Sequence, residues 1–357
     1  MPRTRSVVLA AGAALLVRRA VRRRIAASPL WPMPALETPV SGQGGRRVPS
    51  LRLTVAERAV PAEGVALLRL ESPAGTPLPE WRPGAHLDLV LPSGLIRQYS
   101  LCGDPADRAT YTVATRLIED GRGGSREVHE QLREGAELVV RGPRNRFPLD
   151  RAPSYAFVVG GIGITPVLPM LRAVEAAGAE WRLLYGGRSR ATMPFLDEIE
   201  KLGAPGGRVT VVAEDEAGLP DAAAFLAGSG EGAAVYCCGP EPLMDAVAAA
   251  LPEGRTLHLE RFTPGASTAQ LGTFEVELRR TGRTLTVPAG RSVLATVRDE
   301  LPNLSYSCEQ GFCGTCQQRV LEGEIDHQDE LLTDAERQDS MLICVSRCLG
   351  RKLVLDL

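Results

Sequence analysis

Four cysteines near the C-terminus, Cys308, Cys313, Cys316 and Cys344, follow the spacing C-x4-C-x2-C, then 27 residues, then C. In the plant-type version of that spacing four thiolates hold a [2Fe–2S] cluster, which is a one-electron carrier. Gly311 and Gly314 lie within the loop. Glycine allows positive φ, so the backbone can close around a cluster and aim its amides at the sulfurs. Two other sulfur chemistries compete. A structural zinc site usually pairs two C-x2-C-type knuckles, and this chain has one C-x2-C pair. A disulfide framework belongs to exported chains, and no clear export signal is present. Spacing and glycines together favour the cluster. Cys348, four residues beyond Cys344, lies outside the ligand spacing and reads as a free thiol.

A second constellation is Gly160-Gly161-Ile-Gly163-Ile164-Thr165-Pro166, which follows an apolar run and opens a helical pattern. Glycines there let the backbone approach a pyrophosphate seated at the positive end of a helix. On its own the motif is weak, since glycines at strand ends are often plain turns. It gains weight from Cys238-Gly239-Pro240, which ends a later apolar run. In a parallel sheet both strand ends share one ligand edge, where they can hold the two ends of a nicotinamide dinucleotide. Thr165 and Cys238 are the candidates for the nicotinamide itself. The run Trp181–Tyr185 leads into Gly186-Gly-Arg188-Ser-Arg190, at the usual position for reading the adenosine ribose. Those arginines suit a 2′-phosphate, a pyrophosphate or solvent. NADH is the expected donor, with NADPH open.

Hydride donors give two electrons and the cluster takes one, and a flavin between them can accept two and release one. A flavin phosphate needs a cation and amide donors. Arg97, in Arg97-Gln-Tyr99-Ser100, can supply the cation, and Gly121-Arg-Gly123-Gly124-Ser125 can supply the amides. Tyr99 can lie on the ring and Ser100 can reach a ring nitrogen. The competing reading of the Gly-Gly stretch is an ordinary flexible turn.

The elements that must position these residues fall into three kinds. From Leu51 to Val140, short apolar runs separated by Pro-Gly and Gly-Asp-Pro turns predict a small antiparallel barrel with one helix near 125–133. From Tyr155 to Leu251, strands alternate with helical patterns at 167–177, 195–202 and 241–251, which predicts a doubly wound parallel sheet. Past a linker at 263–270, the alternating runs at 274–278 and 283–287 and a helix near 293–300 lead to the cysteine loop.

At 357 residues, 44% apolar and 24% charged, the chain has room for two or three globular domains. A net charge of −2 leaves no nucleic-acid footprint. Basic charge concentrates in residues 1–47, with nine Arg against Glu37. The 11-residue apolar run Val7–Val17 is too short to span a bilayer, and its larger charge follows rather than precedes it, unlike a signal peptide. A poorly ordered tail is the favoured reading, a basic helix touching anionic lipid the second. A cytoplasmic location is expected.

Together the motifs resemble the phthalate dioxygenase reductase / vanillate demethylase reductase family over residues 48–357. Arg97-Gln-Tyr-Ser100 matches its flavin motif, Gly123-Gly-Ser125 its second flavin-phosphate element, Gly160–Thr165 and Cys238–Pro240 its nicotinamide motifs, and Cys344-Val-Ser-Arg its ferredoxin end. The resemblance implies a ferredoxin reductase-type flavin barrel (48–150), an NAD(P)H domain (151–263), a linker (264–271) and a β-grasp plant-type ferredoxin domain (272–357). It implies FMN as the flavin, and Phe262 as an aromatic closing the flavin face. It also implies an oxygenase, Rieske-type or cytochrome P450, as electron acceptor. The tail, residues 1–47, has no clear counterpart in the family. A stand-alone reductase of a quinone or ferric chelate is the alternative. The four histidines, His86, His129, His258 and His327, are scattered without partners at motif spacing and are expected to be structural or surface residues rather than catalytic ones.

Overall fold

Short alternating runs in the first third of the chain fold as β1 (Ser50–Ala62), β2 (Val65–Glu71), β3 (Ala85–Val90), β4 (Ile96–Ser100), β5 (Thr110–Arg116) and β6 (Glu137–Asn145). The computed structural model describes residues 50–357 apart from 120–122, 205, 231, 263–271, 303, 305, 307, 308, 310, 312, 313 and 330. The basic tail and the 263–270 linker of the sequence reading lie outside the described residues. The six strands form one antiparallel sheet, ordered β4-β3-β6-β1-β2-β5. A bridge between Leu101 and Val113, with the Cys102 amide donating to the Thr112 carbonyl at 2.9 Å, joins its two edges and closes the barrel. Closure leaves no long unpaired edge. The inward positions, Leu53, Val55, Leu68, Leu70, Leu87, Leu89 and Val140 among them, make one apolar core. Helix α1 (Gly124–Gln131) adds Val128 to it. The Glu127 carboxylate accepts from the Ser93 amide (2.7 Å) and hydroxyl (2.6 Å), tying the β3–β4 turn to this helix.

The next segment is a parallel sheet of β7 (Ser154–Gly160), β8 (Glu180–Gly187), β9 (Val209–Ala213), β10 (Ala234–Cys238) and β11 (Leu257–Glu260), ordered β11-β10-β7-β8-β9. Helices α2 (Ile164–Ala176), α3 (Leu196–Gly203), α4 (Glu214–Ala217), α5 (Ala222–Ala227) and α6 (Glu241–Ala249) connect its strands. Tyr155, Phe157 and Val159 of β7 face one core with α2, and Ala156 and Val158 face the other with α5 and α6. A strand covered on both sides reads as an unbroken apolar run. The chain leaves β7 towards β8 and β9, then returns to lay β10 on its other side, so the topology switches between β7 and β10.

Two sequence expectations shift here. Helix α2 starts at Ile164, so Thr165 and Pro166 sit in its first turn, where proline removes no needed donor. Strand β11 and helix α5 were not anticipated, because four- and six-residue apolar runs carry no period of their own. Arg172 of α2 donates to the carbonyls of Cys102 (2.9 Å) and Gly103 (2.8 Å) and pairs with Glu198. It thereby fixes the end of β4 against the parallel sheet, and barrel and sheet belong to one compact unit, 48–267.

The last segment clusters as a separate unit. Its strands are β12 (Phe274–Leu278), β13 (Arg283–Val287), β14 (Gln317–Glu322), β15 (Ile325–Asp326), β16 (Ser340–Leu342), β17 (Arg347–Cys348) and β18 (Lys352–Leu355), with helix α7 (Val293–Glu300). The mixed sheet β13-β12-β18-β14-β16 packs Val276, Leu278, Leu353 and Leu355 against Val293, Leu294 and Val297 of α7, the β-grasp arrangement. Ser292 caps α7, its hydroxyl accepting from the Ala295 amide at 3.1 Å.

Candidate functional site

Strand β4 carries the first site. Arg97 pairs with Leu89 of β3, and its side chain crosses the N-terminus of α1. A Cβ on Gly124 would lie 2.3 Å from Arg97 Nε, so a side chain there would collide with the guanidinium stem. Gly123, at φ 80°, caps the helix in the left-handed region with open space beside it. Guanidinium and the first turn of the helix thus share one place, which fits a phosphate. Ser125 closes the preceding loop, its hydroxyl accepting from the Ile118 amide at 3.0 Å. Tyr99 follows on the Arg97 face of the strand and is half-buried. Burial pushes its hydroxyl pKa up against the opposing hydrogen bond with Thr115. Cradle and half-buried tyrosine suit a flavin mononucleotide.

The second site lies at the switch point. Glycine-to-alanine geometry shows how closely its two motifs interlock. A Cβ on Gly163 would lie 2.1 Å from the Cys238 carbonyl oxygen, one on Gly239 2.9 Å from the Gly160 nitrogen, and one on Gly160 2.5 Å from Pro240 Cδ. Ile164, Thr165 and Pro166 are buried in the first turn of α2, and the Thr165 hydroxyl donates to the Ile162 carbonyl at 3.0 Å. Cys238 is fully buried, and burial holds its thiol well above the usual range, so it is a neutral group. Ser100, at the end of β4, donates to Glu260 at 3.4 Å. Glu260 ends β11 and its charge acts on Cys238. Phe262, two residues on, is 41% exposed.

Of the two arginines after β8, Arg190 is ion-paired with Glu200. Arg188 is exposed and makes no ion pair among the described residues. Arg116, at the end of β5, has its Nη1 3.5 Å from where a Cβ on Gly161 would stand. Burial and then Arg188 lower the proton affinity of Arg116, and Glu214 opposes them. Arg116 thus sets one guanidinium beside the glycine loop, where it can meet an anion.

The sequence reading missed Glu260 and Arg116. Glu260 stood in the stretch already singled out for Phe262, whereas Arg116 carried no motif at all. Three of the four histidines sit in packing or backbone contacts. His258 stacks on Tyr236 at 4.3 Å, His129 meets the Thr115 carbonyl at 3.0 Å, and His86 is buried in the barrel.

In the last segment Cys316 and Cys344 are both buried, and the Ile343 amide donates to the Cys316 carbonyl at 3.4 Å, bringing the two cysteine segments side by side. Gly311 (φ 79°) and Gly314 (φ 74°) take the positive φ expected of them. A Cβ on either would lie 2.8 Å from a neighbouring side chain, Val345 or Leu331. Cys308 and Cys313 lie outside the described residues. Buried soft thiols on a tightly wrapped loop fit a [2Fe–2S] cluster. Cys348 is buried on β17, where burial raises its thiol pKa.

Comparison with known proteins agrees. Residues 276–349 match the 2Fe-2S iron-sulfur cluster binding domain family, and residues 157–249 the oxidoreductase NAD-binding domain family. Phthalate dioxygenase reductase of Burkholderia cepacia is 39% identical over 317 residues, covering 86% of this chain and 97% of that protein. A solved structure of phthalate dioxygenase reductase, described as modular for electron transfer from pyridine nucleotides to [2Fe–2S], superposes with a TM-score of 0.64 at 37% identity. It covers 86% of this chain and 98% of that one. An intact type IV self-sufficient cytochrome P450 monooxygenase matches with a TM-score of 0.68 at 41% identity. Here 86% of this chain is covered but only 41% of that longer protein. Matched over nearly its whole described length, the chain belongs to the phthalate dioxygenase reductase family.

Proposed function

We propose that this protein is the reductase component of an oxygenase system, drawing electrons from NADH and delivering them singly to a separate oxygenase. A bound FMN would supply the chemistry that joins a two-electron hydride donor to a one-electron cluster. The observation that carries the reading is the Ser100–Glu260 contact. It brings the end of the flavin-motif strand to the interlocked Gly163–Cys238 edge, so one compact unit offers adjacent sites for flavin and nicotinamide.

In this reading Arg97 and the amides of Gly123, Gly124 and Ser125 hold the FMN phosphate. Tyr99 packs on the ring, and Ser100 orients a ring nitrogen with Glu260 behind it. Gly160, Gly161, Gly163, Ile164 and Pro166 shape the pyrophosphate turn. Thr165 and the neutral Cys238, with Gly239 and Pro240, seat the nicotinamide. Arg188 and Arg116 meet the phosphates, and Phe262 covers the flavin face. Cys308, Cys313, Cys316 and Cys344 ligate the cluster. The working division is flavin 48–150, NAD(P)H 151–263, linker 264–271 and ferredoxin 272–357, with 1–47 as a basic tail. The oxygenase is of Rieske type or a cytochrome P450, since relatives include a dioxygenase reductase and a P450 fusion. Residues 272–357 carry 14 Asp/Glu against 10 Lys/Arg, which suits a basic docking patch on that partner. A cytoplasmic setting fits this role, and no helix among the described residues is long and apolar enough to cross a membrane.

The test is an absorption spectrum of anaerobically purified protein before and after NADH. Flavin and iron–sulfur bands that both bleach are expected. A flavin spectrum without iron–sulfur absorbance, in iron-replete protein, would sink the reading.

A further inference from the structure

Asp329 is a carboxylate with its side chain fully out of solvent, in the segment between Cys316 and Cys344. Burying a charge is costly unless it is paired and hydrogen-bonded, and this one is both. Its Oδ2 accepts from the amides of Leu331 (3.2 Å) and Leu332 (2.9 Å) and lies 3.6 Å from Arg337 Nη2. Its Oδ1 accepts from the Ser346 hydroxyl at 3.3 Å and faces His327 Nδ1 at 3.3 Å. The frame is doubled from behind. Arg337 also donates to the Asp329 carbonyl (2.6 Å), and His327 Nε2 donates to the Arg337 carbonyl (3.0 Å).

What this carboxylate touches gives it a use. Gly311, within the cysteine loop, is packed so closely on Asp329 that an added Cβ would lie 3.3 Å from its Cα. Gly314, between Cys313 and Cys316, is packed in the same way on Leu331, whose amide Asp329 holds. Ser346 stands two residues beyond Cys344. Asp329 thus lies against the loop at Gly311 and hydrogen-bonds the Cys344 segment at Ser346. None of the flavin or nicotinamide residues takes part.

We propose that Asp329 is a positioning residue for the iron–sulfur centre, holding the Cys308–Cys316 loop to the Cys344 segment. Its buried negative charge, partly offset by Arg337, sets the cluster's reduction potential. The inference rests on the cluster reading above. Reduction adds an electron, and a fixed negative charge nearby in a low-dielectric interior opposes it. Arg337 is about one-third exposed, so its charge offsets that of Asp329 only in part.

A bare mechanical staple and a charge-setting residue differ in sign. Asp329→Asn keeps size and shape but removes the charge, so the cluster potential rises. Arg337→Gln removes the offsetting cation, so the potential falls. The readout is a dye-mediated redox titration of the whole protein, following the electron paramagnetic resonance signal of the reduced cluster. Iron content and NADH-to-ferricyanide activity serve as controls, and both stay at wild-type level. Opposite shifts support the proposal. No shift in either variant, or shifts in the same direction, overturn it. If Asp329→Asn loses its iron, Arg337→Gln decides alone: a fall supports the proposal and an unchanged potential overturns it. Wild-type protein with no cluster signal would instead overturn the cluster reading and this inference with it.

Discussion

Gly163 shows how much one residue can fix. It has ordinary helical φ, so conformational freedom is not why it must be glycine. The reason is the Cys238 carbonyl, 2.1 Å from where a Cβ would stand. Backbone cannot yield as a flexible side chain can, and overpacking of this kind costs about 1–3 kcal/mol. Gly163→Ala is therefore expected to lower Tm and to raise KM for NADH roughly tenfold or more, at unchanged flavin content. Steady-state kinetics with ferricyanide measures this, and an unaltered KM would mean that the two motifs do not form one site. From the sequence Gly163 was one glycine in a weak motif. Its steric reason lies 75 residues away and has no local signature.

At the level of the element, β3 holds a strongly perturbed titrating group. His86 lies between Ser100 of β4 and Arg144 of β6. Its pKa is lowered to about 3, first by burial and then by Arg144 and Arg146. In the unfolded chain it titrates near its ordinary 6.5. Between those values the unfolded state binds one more proton, so His86 favours the fold at neutral pH and that contribution fades as pH falls below about 6.5. The slope is up to ~1.4 kcal/mol per pH unit. Thermal melts from pH 7 to pH 4 should show wild type losing stability faster than His86→Gln, and parallel curves would count against a buried neutral imidazole. The strand itself was legible from its apolar alternation. The arginine that faces the histidine was not, because β3 and β6 are distant in sequence and paired only by the barrel's register.

For the molecule as a whole, the reading requires electrons to leave through the cluster. Cys313→Ser should abolish cytochrome c reduction while leaving NADH-to-ferricyanide turnover near wild type, since the flavin and nicotinamide sites lie in a unit of their own. Stopped assays with the two acceptors separate the cases, and retained cytochrome c reduction would mean that electrons exit from the flavin.

The sequence by itself determined the kinds of chemistry and their order along the chain. Cysteine spacing, glycine clusters at strand ends and the change from short alternating runs to alternating strands and helices are local signals, set by neighbours within a few residues. The tertiary structure decided which residues meet. It laid Arg97 across Gly124, brought Glu260 to Ser100, set Arg116 beside Gly161, and buried Asp329 against Gly311 of the cysteine loop. Each of these contacts joins segments brought together by barrel closure, by the switch point between β7 and β10, or by the grip of the last sheet on its loop. Contacts of that kind depend on pairing and packing over long separations, and they leave no trace in the spacing of residues along the chain.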